Sequence, residues 1–296
     1  MSELWTHGWA QLSSVKLHYV EAGASPDEER PLVVLLHGFP EFWYSWRHQI
    51  PALADAGMHV IAPDMRGYNL SDKPSSVSDY RLETLAADVE ELVRYFGRDR
   101  AHVIGHDWGG IVAWWFAMHH AERLERLSIL NAPHPQYFET MFTNPQQVRK
   151  SWYILFFQLP FGLAERAFMR NDCAALRDML ARAPRRRGAF TEDDIERYVE
   201  AFSGDAPRAT MSYYRALLRR NPFGWRAHLR AIDRPTQVIW GTNDRAIGLE
   251  YSKPSPQWAK ELRYDLIQDA SHWVQVDRPD RVNGLLLDFH RARLGA

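Results

Sequence analysis

The chain contains a single cysteine, Cys173, among its 296 residues. One thiol can close no internal disulfide and build no thiolate metal cluster, and it leaves a reducing compartment permitted. An excess of either charge is also missing, with 36 Lys and Arg against 37 Asp and Glu. This balance gives no global field to attract nucleic acid or an acidic membrane, and it points to a small, uncharged ligand. No stretch reaches the roughly 18 apolar residues needed to cross a bilayer. The start, MSELWTHGWAQLSSVKLHYVEAG, lacks the basic opening and apolar run of a signal peptide. A soluble, cytoplasmic protein with no membrane span is the expectation. Repeats and low-complexity segments are absent too. What is abundant is apolar surface: 46 % of residues are hydrophobic and 13 % aromatic, ample for a sizeable core and against disorder or a coiled coil.

After a strand candidate at Leu17 to Glu21, the run Pro31 to Leu36 (PLVVLL) is short, branched and apolar, and ends in the turn His37-Gly38-Phe39-Pro40. That is the form of a buried parallel strand and its carboxyl-end loop. It recurs at Met58 to Ala62 before Pro63-Asp64, at Ala101 to Gly105 before His106-Asp107, and at Leu127 to Leu130 before Asn131-Ala132-Pro133. Two further cases are Gln237 to Trp240 before Gly241-Thr242-Asn243-Asp244, and Tyr264 to Ile267 before Asp269-Ala270-Ser271-His272. Helical patterns lie between several of them, such as Leu82 to Phe96 with Leu85, Val89, Leu92, Val93 and Phe96 on one face. Strand alternating with helix predicts an α/β fold, a mostly parallel sheet flanked by helices on both sides.

The alternation stops between residues 134 and 230. Helical patterns such as Leu176 to Ala183 and Ile195 to Phe202 take over there, predicting an inserted helical cap, with residues 1–133 and 231–296 forming the two parts of the core. The run Arg185-Arg186-Arg187 reads as an exposed polar break rather than an anion site.

Gly105-His106-Asp107-Trp108-Gly109-Gly110 follows a buried strand and opens a helical stretch, the context of a nucleophile elbow. The nucleophile position holds Asp107, where hydrolases acting on acyl groups usually carry Ser. A carboxylate can displace a leaving group at a tetrahedral carbon, leaving an alkyl ester on the enzyme that an activated water then hydrolyses. His272, just after the last strand, occupies the place of the general base, and Asp244 after the penultimate strand can orient it, in the chain order nucleophile, acid, histidine. Asn131 lies where an acid could otherwise stand, but an amide offers no charge. The N–H groups of Phe39 and Trp108 are the candidate oxyanion hole. Phe39-Pro40 is a candidate for a cis bond, although X–Pro is usually trans.

These residues, together with His37-Gly38-Phe39-Pro40-Glu41-Phe42-Trp43-Tyr44-Ser45-Trp46 and Pro63-Asp64-Met65-Arg66-Gly67-Tyr68, resemble the epoxide hydrolases of the α/β-hydrolase fold over nearly the whole chain. The resemblance implies conversion of an epoxide to a vicinal diol, with two cap tyrosines protonating the ring oxygen. It places these at Tyr153, in Ser151-Trp152-Tyr153-Ile154, and at Tyr214, in Ser212-Tyr213-Tyr214-Arg215, preferring Tyr214 to Tyr213 because Arg follows it directly. His37, Pro40, Trp152, Phe156 and Phe157 are expected to wall a hydrophobic pocket, though such aromatics can equally pack a cap on a core. The expected partners are a small hydrophobic epoxide and water, with no metal or organic cofactor, in a monomer or homodimer.

Two alternatives remain open. A haloalkane or haloacetate dehalogenase shares the aspartate nucleophile, but Phe39 offers no side-chain donor to a halide and Trp108 to Ile111 contain no arginine for a carboxylate. Trp152 could still serve a halide. The other alternative is a non-catalytic ligand-binding protein of the same fold.

Overall fold

The computed structural model describes residues 5–24, 30–219 and 224–291. The expected core and cap segments also include residues 1–4, 25–29, 220–223 and 292–296, which lie outside the described residues. The strands are β1 (Thr6–Gln11), β2 (Lys16–Ala22), β3 (Leu32–Leu36), β4 (His59–Pro63), β5 (Ala101–His106), β6 (Leu124–Leu130), β7 (Thr236–Gly241) and β8 (Leu262–Ile267). They form one sheet in the order β1-β2-β4-β3-β5-β6-β7-β8. Among the described residues, only the β1–β2 and β2–β4 pairings are antiparallel.

Every residue of β3 and β5 is buried. Because side chains alternate across a strand, both faces of the sheet must be covered, which is why β3 reads as an unbroken apolar run and β5 carries Val103 and Ile104 at its centre. The helices are α1 (Gln49–Asp55), α2 (Leu82–Tyr95), α3 (Trp108–His119), α4 (Phe138–Thr143), α5 (Pro145–Lys150), α6 (Trp152–Phe156), α7 (Leu163–Arg182), α8 (Glu192–Ala201), α9 (Ala206–Arg219), α10 (Val274–Asp277) and α11 (Pro279–Arg291). In the layers flanking the sheet, α1 packs with α11 and α2 with α3. No described helix is long and apolar enough to cross a membrane.

The α/β architecture with a mostly parallel sheet is the one the sequence predicts. β1 is not foreseen, for a physical reason: it is an edge strand with a glycine inside it, and Ala10 is its only buried side chain, so no alternation of apolar residues marks it.

Helices α4 to α9 occupy the chain between β6 and β7. They are tied to the sheet layers by polar contacts: the Tyr213 hydroxyl donates to the Arg66 carbonyl at 2.7 Å, Tyr44 donates to Asp194 at 2.9 Å, and Arg47 donates to the Ala189 carbonyl at 3.0 Å. The arginine run needs correction. Arg185 and Arg187 are exposed, but Arg186 is partly buried, its guanidinium donates to the Val276 carbonyl at 2.9 Å, and the backbone N–H groups of Arg185 and Arg186 are bound to Asp277.

The register places the site. Leu36 of β3 lies opposite Gly105 of β5, His106 opposite Leu130 of β6, Leu130 opposite Ile239 of β7, and Gly241 opposite Ile267 of β8. Five parallel strands therefore end side by side, and the loops bearing Phe39, Asp107, Asn131, Asp244 and His272 leave from one edge, where open α/β sheets hold their ligands.

The turn from β5 into α3 brings backbones unusually close. A Cβ on Gly109 would sit 2.1 Å from the Leu36 carbonyl oxygen, and one on Gly105 would sit 2.4 Å from the carbonyl oxygen of Gly109. Both neighbours are main chain that cannot step aside. Gly109→Ala is therefore expected to lower the unfolding free energy by about 3 kcal/mol or more. Urea denaturation measures this; a loss within about 0.5 kcal/mol, the usual range for an innocuous surface change, would show that close approach is not what the glycine serves.

Candidate active site

Asp107 sits at the tip of that turn with φ 49° and ψ −119°, a conformation that non-glycine residues rarely adopt. The turn aims the carboxylate away from the sheet, and Gly38 makes room for it: a Cβ there would lie 2.4 Å from the Asp107 Cβ. The Phe39 N–H donates to Asp107 Oδ1 at 2.8 Å. The Phe39–Pro40 peptide is cis.

His272 lies between two carboxylates. Its Nε2 is 3.4 Å from Asp107 Oδ2, and its Nδ1 is 2.8 Å from Asp244 Oδ2. Asp244 is fixed from behind, because its Oδ1 accepts the N–H groups of Ala246 and Ile247 at 2.8 and 2.9 Å and its Oδ2 also accepts the Asn131 amide at 2.8 Å. Asn131 is held in turn by the Gly241 N–H, which donates to its Oδ1 at 2.9 Å. Its amide thus orients the acid that it does not replace.

Both imidazole nitrogens face carboxylate oxygens, an arrangement that favours the doubly protonated ring. Burial alone would drive His272 towards neutrality, but the charges and hydrogen bonds of Asp244 and Asp107 outweigh it and hold its pKa well above the ordinary value. Burial likewise pushes the Asp107 carboxyl up, and the His272 hydrogen bond and charge, His106 and the Phe39 N–H reverse that to leave it below the ordinary value. Asp244 is also lowered: burial is offset by the charge and hydrogen bond of His272 and by donors from Asn131 and Ile247. At neutral pH the three groups form a buried row of negative, positive and negative charge.

Two apolar cavities open onto Asp107. One, of about 140 Å³, is walled by Trp108, Ile111, Phe138, Met141, Ile154 and Leu217. The other, of about 410 Å³, is walled by Phe39, Trp152, Phe156, Phe157, Phe168 and His272. Asp107, Tyr153 and Tyr214 border both. The tyrosine rings lie 5.8 Å apart, centroid to centroid. Burial raises the pKa of both phenols, and the neighbouring Asp107 raises each further, so they stay protonated at neutral pH. Tyr213, the neighbour of Tyr214, borders neither cavity and spends its hydroxyl on the Arg66 carbonyl.

The structure departs from the expected pocket at two positions. His37 and Pro40 wall neither cavity. The His37 ring is wholly buried behind the loop, with Nδ1 on the Gly38 carbonyl and Nε2 accepting the Met65 N–H, both at 3.0 Å, so it supports the loop rather than the ligand. Trp152 does border the larger cavity, yet it is 61 % exposed, at the cavity's rim.

Sequence reasoning gave no role to a buried pair behind the site. His106 Nδ1 lies 2.7 Å from Glu41, and its Nε2 donates to the His272 carbonyl at 2.8 Å. Glu41 also accepts the Gly38 N–H at 3.0 Å, so one carboxylate ties the Phe39 loop to the His272 loop. Both residues stand inside the motifs already singled out, but only the fold shows that they touch.

A family model described as alpha/beta hydrolase fold matches residues 31–279. The chain belongs to that family. It is 41 % identical to the AB hydrolase superfamily protein YfhM of Bacillus subtilis, over 94 % of this chain and 95 % of the relative, and 37 % identical to epoxide hydrolase 1 of Caenorhabditis elegans, over 97 % and 70 %. The structure superposes on an epoxide hydrolase from Bacillus megaterium in complex with an inhibitor with a TM-score of 0.86 at 28 % identity, covering 96 % of this chain and all of that one. Epoxide hydrolase A from Mycobacterium thermoresistibile gives 0.82 at 31 %, covering 97 % and 98 %. Within the α/β-hydrolase superfamily, the chain is one of the epoxide hydrolases.

The charge row has a consequence for stability. A histidine whose folded pKa is raised contributes stability that is fully present below its unfolded pKa of about 6.5 and is lost as pH rises through the folded value. Asp107 and Asp244, both lowered, contribute above the unfolded carboxylate pKa of about 3.9 and lose that contribution as pH falls through their folded values. Unfolding free energy should therefore decline on the alkaline side of neutrality, and His272→Gln should flatten that decline. Guanidinium denaturation between pH 6 and 10 checks it; equal slopes in both proteins would contradict the charged row.

Proposed function

We propose that this chain hydrates small hydrophobic epoxides to vicinal diols through a covalent ester on Asp107, with residues 134–230 acting as the cap over the site. The observation that carries the reading is that Asp107 and two protonated phenols, Tyr153 and Tyr214, border the same two apolar cavities, with His272 and Asp244 directly behind the carboxylate. A nucleophile aimed at carbon and a pair of acids aimed at its leaving oxygen are what ring opening needs.

Because Oδ1 is held by the Phe39 N–H, Oδ2 is the attacking atom. It bonds to one epoxide carbon while that carbon's bond to oxygen breaks, and the resulting alkoxide takes a proton from Tyr153 or Tyr214. Ester formation removes the negative charge of Asp107, so one of the interactions that raised the His272 pKa disappears. His272 can then release its proton to restore the phenol, and becomes a neutral base. It takes a proton from water as the hydroxide adds to the ester carbon, with the N–H groups of Phe39 and Trp108 holding the oxyanion. Collapse breaks the ester bond to the substrate oxygen, the departing alkoxide takes the proton of the added hydroxyl, and the diol leaves with Asp107 again a carboxylate. One water is consumed and no other co-reactant is required.

The two cavities suit substrates with an apolar group on each side of the ring, or one aryl group in the larger cavity. Haloalkane turnover is less well served, since Tyr153 and Tyr214 would have no oxygen to protonate.

The test uses His272→Ala with styrene oxide and, separately, a 1-haloalkane. The expected result is a mass gain equal to the whole epoxide, mapped to Asp107. An adduct from the haloalkane alone would move the reaction to dehalogenation, and no adduct from either would sink the covalent reading. Tyr153→Phe and Tyr214→Phe should each slow ester formation from epoxide by about 100-fold, within the usual range for loss of a general acid. Quenched-flow mass spectrometry reads this, and unchanged rates in both would remove the acids from the mechanism.

A further inference from the structure

Asp277 ends the short helix α10, a little beyond His272, and its side chain is fully buried. Its two oxygens hold different parts of the chain. Oδ2 accepts the N–H of Ser271, the residue immediately before His272, at 2.6 Å. Oδ1 accepts the N–H groups of Arg185 and Arg186 at 2.9 and 3.0 Å, in the loop joining α7 to α8. The Arg186 guanidinium adds a bond to the Val276 carbonyl at 2.9 Å.

A carboxylate with no exposure to water is tolerated when strong donors meet its charge, and losing one of them costs more than losing a neutral hydrogen bond. All three donors to Asp277 are main-chain groups. The carboxylate thus fixes backbone, not flexible side chains, and the 185–186 loop cannot shift against Ser271 without breaking one of these bonds. Ser271 is in turn one peptide from His272, whose own carbonyl is pinned by His106.

We propose that Asp277 is a positioning residue that locks the His272 loop to the helical insertion, so that the base is aligned for ester hydrolysis while the insertion is seated. Arg185 contributes through its backbone N–H, and Arg186 through its N–H and its guanidinium bond to the Val276 carbonyl. The insertion brings Tyr153 and Tyr214 to the ring oxygen, and the same segment, through Asp277, sets the histidine that completes the cycle.

This inference rests on the two-step reading above, so the experiment separates them. Ester formation and ester hydrolysis are followed by quenched-flow mass spectrometry with styrene oxide in wild type, His272→Ala, Asp277→Asn and Arg185→Ala. Asp277→Asn keeps the shape but replaces an acceptor by a donor. It should leave ester formation within about 2-fold and slow hydrolysis by about 10- to 100-fold, the scale of a small misplacement of a reacting group, so that ester accumulates. It should also shift the pH profile of the hydrolysis step, which a general loss of folded protein would not do. Arg185→Ala, which retains its N–H, should match wild type in both steps.

Equal slowing of both steps in Asp277→Asn, or no slowing, overturns the proposal, as does an Arg185→Ala defect as large as that of Asp277→Asn. If His272→Ala forms no ester, the two-step reading itself fails; if it forms ester and Asp277→Asn does not accumulate it, only the present inference fails. Should Asp277→Asn not fold, hydrogen exchange of the wild type decides: the amides of Ser271, Arg185 and Arg186 should open at one common rate, and independent rates overturn the lock.

Discussion

The site depends on one imidazolium shared by two buried carboxylates. Burying Asp107 or Asp244 alone would be costly, and a lone buried carboxylate would take up a proton. His272 between them joins the donors that each carboxylate also has, Phe39 for Asp107 and Asn131, Ala246 and Ile247 for Asp244, in favouring the ionised forms, and the ring is fixed in one orientation. The arrangement is also self-resetting. Consuming the charge of Asp107 in the proposed first step weakens the hold on the histidine proton, so the same contact that stores the base as a cation frees it when it is needed.

Around that row the main chain adopts conformations uncommon for residues other than glycine. Asp107 has positive φ, as does Asn131 on the adjacent strand end. Each is overdetermined by its surroundings: Asp107 by the Phe39 N–H and His272, Asn131 by Gly241 and Asp244. A second layer of buried polar groups supports them. Glu41 with His106 joins the Phe39 loop to the His272 loop, and Asp277 joins the His272 loop to the helical insertion. Asp277 gathers backbone N–H groups from segments far apart in sequence, whereas Glu41 accepts one, from Gly38, and reaches the His272 loop through the His106 ring.

Much of the fold was legible in the sequence because a parallel sheet buried on both faces favours branched apolar residues, and Leu32–Leu36 and the Val103-Ile104 centre of β5 supply them. Edge strand β1 was not legible, since a strand with a single buried side chain leaves no such signature. Asp107, Asp244 and His272 could be picked out because strand-end loops in chain order are a one-dimensional signal. His37 and Pro40 were misjudged for the converse reason. Standing beside Phe39 in sequence says nothing about which way a ring points, and the His37 ring turns back to hold Gly38 and Met65.

Residue types and their spacing by themselves determined the alternation of strand and helix, the helical interruption after β6, and a carboxylate on a turn flanked by glycines. These follow from local sterics and from the period of apolar residues, which each segment carries within itself. Tertiary structure alone decided that His37 turns back to hold Gly38 and Met65, that Asn131 serves Asp244, and that Asp277 reaches from the His272 loop to Arg185 and Arg186. Such choices depend on where a side chain ends when distant segments meet, and no periodicity along the chain encodes that distance.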